Sequence, residues 1–386
     1  MPNPHKLPFI GKFAKSMATL RREDERGVLY HMNYTADYYK LLPAMNIAAK
    51  AGCSTFVSQT VEGDPFMARN YDLRHYKNND DSTEDNLTGL GVVIHAANPR
   101  AKYKSVGVAD AYWMDSKNGA FSEGGFENGT TDISIALLLP FLCMDGMNEK
   151  GLAVSIMYLP TENRWEETEY VAYDSLIPAQ KRTAVLLEEP GRIPSPMEPR
   201  TVSGSYAVNT ADKKAWKAFK NLSVEQKETG KKTVLHPVLM RMMLDSCKTT
   251  EEAIALAKTV NIKSAVKDGD YHILVTDVTG KSVMLEWIAQ QLTWCETNHG
   301  ANFYACREDN FGYGYDRANV MTAAMAQYSR GMPERTAMRT LSVVSQDCRD
   351  GSGLSFTQWS AVYNLRQKTL KLCVHMDYDH CYEYAL

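Results

Sequence analysis

Apolar and polar positions alternate along much of the chain in a way that predicts short strands. From Cys53 onward, β-branched and aromatic runs such as CSTFVSQTV, PFMARNYDL, GLGVVIHAA and YKSVGVADAYW are separated by turn residues, and this pattern predicts strands. Residues 236–262 have helical spacing instead and predict two helices, the second opening with a capping pattern at Thr250. Two further hairpins are predicted, over the turns at 279–281 and 364–368.

Three stretches fall outside this pattern. Residues 1–52 are charged and irregular at first and become strand-like in GVLYHMNYTADYY. Residues 115–132 are polar and Gly-rich, which predicts a loop over a cleft. Residues 161–234 are interpreted as an insertion of loops with one short helix. A turn at Asp145–Gly146 is expected to lead into the strand LAVSIMYL.

The order of the elements indicates the fold class. Strands are followed by helices and then by strands again, with no βαβ rhythm and no Gly-rich phosphate loop. We therefore predict an α+β layered sandwich. The 386 residues, 44% of them hydrophobic, suffice for one large core or two modest ones.

Charge and composition exclude several classes of function. The formal net charge is -3 and no long basic block occurs, so nothing favours a nucleic-acid partner. No apolar run approaches the length of about 18 residues that a membrane-spanning helix needs, and the first residues do not form a secretory signal. We therefore expect no membrane span and a cytoplasmic location.

The eight cysteines are scattered, without CxxC motifs or Cys/His spacing. They indicate neither a zinc site nor a disulfide framework, and we expect no metal and no cofactor. Reduced thiols are the simpler interpretation, most of them serving as small buried apolar side chains. Cys53 needs separate treatment because of the residues that follow it.

Cys53 opens a predicted hairpin whose second strand returns charged residues to it. If 53–61 and 65–73 pair over the turn between them, Arg69 and Asp72 come back towards the start of the first strand. A cation beside a cysteine favours the nucleophilic thiolate. A carboxylate there is useful if the cysteine nitrogen is a free α-amine, since such an amine titrates near about 8 and is a base at neutral pH.

A free amine exists at Cys53 only if the bond between Gly52 and Cys53 is cut. Glycine before that bond allows strained backbone geometry and leaves its carbonyl open to attack. Cys53 itself is able to make the cut through an N-to-S acyl shift. We therefore expect self-cleavage at this bond, which would leave the cysteine at a new N-terminus.

Four segments, in this order, resemble the choloylglycine hydrolase and penicillin V acylase family of N-terminal nucleophile (Ntn) hydrolases. They are CSTF…ARNYD from Cys53, DGMNEKGLAVSIMYLP at 145–160, VTDVTGKSVMLEW at 275–287 and ANFYACREDNFGYGYDR at 301–317. The resemblance runs from Cys53 to the C-terminus and leaves out the insertion. Acid-ceramidase-like amidases and acyl-CoA acyltransferases are relatives of this family.

The resemblance implies catalytic roles for individual residues. Cys53 would be the nucleophile through its sulfur and the base through its amine. Arg69 would lie against the sulfur, and Asp72 would orient the amine. Asn302 matches an oxyanion donor of the family, and Arg317 matches its late catalytic arginine. Donors placed where negative charge develops are often the largest single catalytic contribution.

Tyr158 is the second oxyanion donor that the resemblance implies. At this position penicillin V acylases are similar to this chain, whereas bile salt hydrolases typically have Asn. The alternative is an interior aromatic residue with a satisfied hydroxyl. Alternatives stay open elsewhere too: Asn298 lies close to Asn302 in sequence, and Arg317 is also compatible with a helix start that faces solvent.

The resemblance also implies the architecture, a four-layer αββα Ntn-hydrolase sandwich with mostly antiparallel sheets. Residues 53–386 would form this domain, with the insertion at about 161–234. Residues 1–52 would be a released propeptide, a retained small N-terminal subunit or an uncut segment. A homo-oligomer is expected.

The activity that the resemblance implies is hydrolysis of a linear, non-peptide amide, which would be an N-acyl amide, penicillin V-like or bile-salt-like. A thioester forms on Cys53, an amine leaves, and water completes the turnover. Tyr158 favours substrates other than conjugated bile salts. Two alternatives stay open: an acyltransferase that uses the same thioester, and an unprocessed inactive homologue that acts as a binding or assembly protein.

Overall fold

The computed structural model describes residues 10–44, 52–73, 90–111, 133–160, 230–264, 269–288, 291–307, 312–347 and 355–386. The predicted loop at 115–132 and most of the predicted insertion, residues 161–229, lie outside the described residues. Within the described ranges, no helix is both long enough and apolar enough to cross a membrane.

Strands make up most of the regular structure. They are β1 (Arg21–Arg22), β2 (Leu29–Tyr34), β3 (Gly52–Gln59), β4 (Pro65–Asp72), β5 (Gly91–Ala96), β6 (Ser105–Asp110), β7 (Cys143–Asn148), β8 (Ala153–Pro160), β9 (Lys232–Leu235), β10 (Val260–Lys263), β11 (Gly269–Thr276), β12 (Ser282–Ile288), β13 (Gln291–Glu296), β14 (His299–Gly300), β15 (Asn302–Phe303), β16 (Gly312–Tyr313), β17 (Thr357–Asn364), β18 (Thr369–Val374) and β19 (Tyr382–Ala385). The α-helices are α1 (Ile10–Met17), α2 (His236–Ser246), α3 (Thr250–Ala257), α4 (Tyr315–Gln327) and α5 (Glu334–Val343), and 3-10 helices span Tyr38–Ala44 and Ile133–Phe141.

Two large sheets contain most of these strands. One has nine strands in the order β1-β2-β5-β6-β7-β8-β11-β12-β13, and the other has six in the order β14-β3-β4-β17-β18-β19. Neighbouring strands in both sheets are antiparallel, except that β2 and β5 pair in parallel. The predicted hairpins β11–β12 and β17–β18 are confirmed.

The two sheets face each other and carry helices on their outer sides. The hydroxyls of Thr55 in β3 and Ser155 in β8 lie 2.8 Å apart between the sheets. Helix α2 packs on β7 and β8, whereas α4 and α5 pack on β3, β4 and β17. Every residue of β4, β7 and β17 is buried, as expected for strands covered on both faces. The predicted four-layer α+β sandwich with mostly antiparallel sheets is confirmed.

The predicted turn at Asp145–Gly146 is wrong. Both residues lie inside β7, opposite Ser155 and Val154 of β8. The glycine is required by packing instead, because a Cβ on Gly146 would lie 2.8 Å from the carbonyl oxygen of Val106 in β6. The chain turns after β7 ends, between β7 and β8.

Two helices are confirmed in 236–257, whereas residues 260–262, predicted to end the second helix, belong to strand β10. The capping residue of the second helix is one position earlier than expected. Thr249 is the N-cap of α3, and its hydroxyl accepts a hydrogen bond from the backbone nitrogen of Glu252 at 3.2 Å. Thr250 is instead the first residue of the helix.

Residues 10–44 contribute two strands, β1 and β2, to the larger sheet. The strand predicted in GVLYHMNYTADYY is β2, which pairs with β5 along its whole length. Leu29 and Met32 of this strand are fully buried. The hydroxyls of Tyr38 and Tyr39 then donate to Asp245 Oδ2 in α2 at 2.6 Å and 2.8 Å. The N-terminal segment therefore contributes to the core.

Candidate active site

Cys53 lies near the start of β3, at the interface between the two sheets. Strands β3 and β4 form the predicted hairpin, with Cys53 opposite Tyr71 and Thr55 opposite Arg69. The side chain of Cys53 is fully buried. The return strand therefore brings Arg69 and Asp72 to the beginning of the first strand, as the sequence pattern predicts.

The guanidinium of Arg69 contacts the sulfur of Cys53. Its Nη2 lies 3.0 Å from Cys53 Sγ and donates to the carbonyl oxygen of Ile156 in β8 at 2.7 Å. Its Nη1 donates to the carbonyl oxygen of Met144 and lies 3.2 Å from Asp145 Oδ2. Groups of the opposite sheet thus hold the guanidinium against the sulfur.

Asp145 is the buried counter-charge of Arg69. Its carboxylate accepts hydrogen bonds from Trp359 Nε1 at 2.9 Å and from the hydroxyl of Tyr363. Both donors belong to β17, and the Trp359 ring stacks on Tyr71 with 4.1 Å between ring centroids. Hydrogen bonds to the charged groups offset part of the cost of burying an ion pair, and these aromatic donors supply two of them.

Asn302 and Arg317 contact the backbone of Cys53. The Cys53 nitrogen lies 3.4 Å from Asn302 Oδ1, and the Cys53 carbonyl oxygen accepts from Arg317 Nη1 at 2.8 Å. Arg317 Nη2 also donates to Asn302 Oδ1 at 2.5 Å. The alternative residue, Asn298, instead places its Oδ1 3.1 Å from His299 Nδ1.

The start of α4 directs Arg317 towards Cys53. Gly314 is the N-cap of this helix and has φ of 90°. A Cβ on Gly314 would lie 2.5 Å from Arg317 Nη2 and 2.9 Å from the Cβ of Ala301. Both the left-handed backbone and the close passage of the guanidinium therefore require glycine here. Arg317 is only 2% exposed and does not face solvent.

Asp72 ends β4 and is fully buried. Its Oδ1 accepts from the hydroxyl of Thr357 at 2.6 Å. Its Oδ2 accepts from Gln346 Nε2 at 3.0 Å and lies 3.3 Å from Arg317 Nη1. The carboxylate is thus held by three donors in the uncut chain, and its role in orienting an amine of Cys53 stays a prediction.

Tyr158 lies next to the site through its backbone. Its carbonyl oxygen accepts a hydrogen bond from Asn302 Nδ2 at 2.8 Å. Its ring packs edge to face against Tyr271, with 6.3 Å between centroids. Burial raises the pKa of Tyr271 well above its ordinary value, and the charges of Tyr158 and Cys53 raise it further. The oxyanion role of the Tyr158 hydroxyl stays a prediction.

Burial is the main influence on titration at the site. It raises the pKa of the Cys53 thiol, which Arg69 opposes and the charge of Asp72 reinforces. Burial also raises the pKa of Asp72, opposed chiefly by Arg317, and that of Asp145, opposed chiefly by Arg69. The thiol of the uncut chain therefore favours its neutral form in the resting state.

Three further residues, not predicted from the sequence, complete the site. Asp145 belongs to the motif DGMNEKGL, in which the Asp-Gly pair predicts a turn. No local sequence pattern predicts that Thr357 and Gln346 contact Asp72, because they lie more than 270 positions away from it in the chain. Among the described residues, no group of three or more His, Cys, Asp or Glu side chains could hold a metal ion.

We expect Asp145→Asn to destabilise the fold by about 3–5 kcal/mol, because the buried charge of Arg69 loses its counter-charge. Denaturant unfolding of the wild type and the variant measures this difference. Asp379→Asn, the same substitution at an exposed position, is the matched control and should change stability by less than about 0.5 kcal/mol. Equal stability of Asp145→Asn and the control would contradict the assigned ion pair.

Several solved structures are similar to this chain. Two variants of the conjugated bile acid hydrolase from Clostridium perfringens match with 13% sequence identity and TM-scores of 0.45 and 0.46, over 86% of this chain and 92% of theirs. The penicillin V acylase from Agrobacterium tumefaciens matches with 13% identity and a TM-score of 0.41, over 83% of each chain. No protein-family model and no curated relative matches this chain.

Proposed function

We propose that this protein is a cysteine-dependent Ntn amidohydrolase. It cuts its own chain between Gly52 and Cys53 and then hydrolyses linear, non-peptide amides through a thioester on Cys53. One observation supports this above all: side chains from other elements contact every polar group of Cys53. Arg69 contacts its sulfur. Asn302 contacts its nitrogen and Arg317 its carbonyl oxygen. A cysteine that only fills space needs none of these contacts.

Self-cleavage proceeds by an N-to-S acyl shift in this proposal. The sulfur of Cys53 attacks the carbonyl carbon of Gly52, the peptide C–N bond breaks, and the thiol proton moves to the departing nitrogen. Water then hydrolyses the thioester, which releases the Gly52 carboxylate and restores the thiol. Arg69, 3.0 Å from the sulfur, stabilises the thiolate as it develops.

After the cut, the α-amine of Cys53 serves as the general base. An α-amine titrates near about 8, so it accepts the thiol proton and returns it to the leaving amine. In the uncut chain this nitrogen lies 3.4 Å from Asn302 Oδ1. Asn302 Nδ2 carries a second N–H besides the one that donates to Tyr158. That N–H and the Tyr158 hydroxyl are the proposed oxyanion donors.

The proposed substrate is an N-acyl amide with an aromatic or lipid-like acyl group, penicillin V-like rather than bile-salt-like. This preference rests on the family resemblance at Tyr158. A cytoplasmic location and a homo-oligomer belong to the same proposal.

We propose further that residues 1–52 stay bound after cleavage as a small N-terminal subunit. Strand β2 is hydrogen-bonded to β5 along its length, and its apolar side chains are buried. Tyr38 and Tyr39 add hydrogen bonds to Asp245. Releasing this segment would expose apolar area, at about 25 cal/mol per Å², and would open the edge of the larger sheet.

Intact-mass measurement is expected to find a chain that begins at Cys53 in place of the full 43.3 kDa species. Cys53→Ala should stay at full length, because alanine has no sulfur to attack the preceding carbonyl. Cys143→Ala, at another buried cysteine, is the matched control and should be cut like the wild type. An uncut wild type would support the binding or assembly alternative, and cleavage of Cys53→Ala would mean that another residue is the nucleophile.

Residues 1–52 are expected to co-elute with residues 53–386 in native size-exclusion chromatography of the cut protein, and to separate from them in denaturant. The reason is the burial of β2 in the larger sheet. Mass spectrometry of the native peak reports both pieces. A native peak that contains residues 53–386 alone would show that the segment is a released propeptide.

Incubation with a panel of N-acyl amides, penicillin V-like and bile-salt-like substrates should give free acid and amine, with a transient acyl adduct on Cys53. Asn302→Ala is expected to lower kcat about 100- to 1000-fold, as removal of one oxyanion donor does. Asn298→Ala is the matched control and should retain wild-type turnover. Mass detection measures adduct and products.

The same reactions with an added amine or thiol test the acyltransferase alternative. Acyl transfer to the added acceptor in preference to water would favour that alternative. A cleaved protein that forms neither adduct nor product with any panel member would contradict the proposed activity.

A further inference from the structure

Two half-buried cysteines bring their sulfurs together beside the segment that carries Asn302. Cys306 Sγ lies 3.0 Å from Cys295 Sγ. Cys295 belongs to β13, the edge strand of the larger sheet. Cys306 follows β15, which begins at Asn302. Both thiols are free, and neither is fully buried, so a small reagent in solvent is able to reach them.

We propose that Cys295 and Cys306 form a redox-reversible disulfide site that ties residues 301–306 to β13. Two sulfurs already in contact need only a small movement to bond, whereas cysteines on distant or diverging backbones do not pair. The site is separate from the proposed chemistry of Cys53 and does not depend on cleavage of the chain.

A set of hydrogen bonds fixes the backbone that presents Cys306. The carboxylate of Glu286 accepts from the backbone nitrogens of Ala305 and Cys306 at 2.7 Å and 2.9 Å. His272 Nδ1 lies 3.0 Å from the same carboxylate, and His272 Nε2 lies 2.8 Å from the carbonyl oxygen of Ala301. Both ends of the segment are therefore held, and the approach of the two sulfurs follows from the backbone.

The hydrogen bond between the thiols makes them chemically different. Cys306 donates to Cys295, and this bond lowers the pKa of Cys295 and raises that of Cys306. Burial raises the pKa of both, and so does the charge of Glu286. The thiolate is the attacking form in disulfide exchange. In this proposal Cys295, which accepts the hydrogen bond, is the attacking thiol, and Cys306, which donates it, is the resolving one.

The reaction needs a small-molecule disulfide as oxidant, for which oxidised glutathione serves. The Cys295 thiolate attacks one sulfur of glutathione disulfide, a mixed disulfide forms, and one glutathione thiolate leaves. Cys306 then loses its proton and attacks Cys295 Sγ, which releases the second glutathione. The protein loses two hydrogens and two electrons in total, and the glutathione disulfide becomes two thiols.

Cys373 and Cys381 are an internal comparison. Leu372 of β18 pairs with Tyr382 of β19. Cys373 directly follows Leu372 in the chain, and Cys381 directly precedes Tyr382. Cys381 is exposed, and its pKa is lowered to about 7, first by a hydrogen bond with Cys373. Because this pair also offers a reactive thiol, an experiment has to map each pair separately.

The test treats the reduced full-length protein with oxidised glutathione under native conditions, alkylates the remaining thiols and maps the peptides by mass spectrometry. We expect a disulfide between Cys295 and Cys306, with no alkyl group on either residue, and its disappearance on reduction. Cys373→Ser/Cys381→Ser should keep this crosslink. Cys306→Ser should leave glutathione attached to Cys295. Alkyl groups or stable glutathione adducts on both wild-type residues would overturn the proposal.

Hydrogen exchange tests the tether itself. Amides of residues 301–306 should exchange several-fold more slowly in the oxidised protein than in the reduced one, because the crosslink restricts local opening. Equal exchange rates despite a mapped crosslink would overturn the tether. Neither measurement requires Cys53 to cut the chain or turn over a substrate, so failure here is distinguishable from failure of the proposed function.

Discussion

The relative position of the two sheets depends on the contacts of the buried guanidinium of Arg69. An unpaired charge in such a place costs several kcal/mol, and both terminal nitrogens of the guanidinium have partners. The smaller sheet supplies the arginine. The larger sheet supplies two carbonyl oxygens and the carboxylate of Asp145. Any sliding of one sheet over the other would break these contacts. Since the remaining partner is the sulfur of Cys53, the same constraint sets the environment of the thiol.

A second buried arginine forms the same kind of ion pair as the first. Arg317 pairs with Asp72 as Arg69 pairs with Asp145, so the two cations are matched by two carboxylates around Cys53. Burial, reinforced by Asp72, outweighs Arg69 and keeps the resting thiol neutral. In the proposed attack, charge that develops on the sulfur would meet Arg69 directly, without movement of any group. Such prepared electrostatics favour the reacting state over the resting one.

The part of the site that is local in sequence was predictable, and the part assembled by distant pairing was not. Arg69 and Asp72 follow Cys53 within one hairpin, so strand alternation and a turn predict where they return. Asp145 was not predicted as a site residue, because an Asp-Gly pair in a sequence indicates a turn. The close packing that requires the glycine depends on the fold. Thr357 reaches the site only because β17 pairs with β4, which no local pattern predicts. The contact of Cys306 with its partner thiol depends in the same way on the fold.

The proposed cut falls inside β3, directly after its first residue, Gly52, which pairs with Asp72 of β4. Strand β2 belongs to the larger sheet and β3 to the smaller one. A cut there would change the chemistry of Cys53 and detach only Gly52 from its strand, while the pairing of β3 with β4 from Cys53 onward would stay in place. Burial penalises a charged amine and favours the neutral, basic form. The enclosure that keeps the thiol neutral in the uncut chain would therefore also keep the new amine ready to accept its proton.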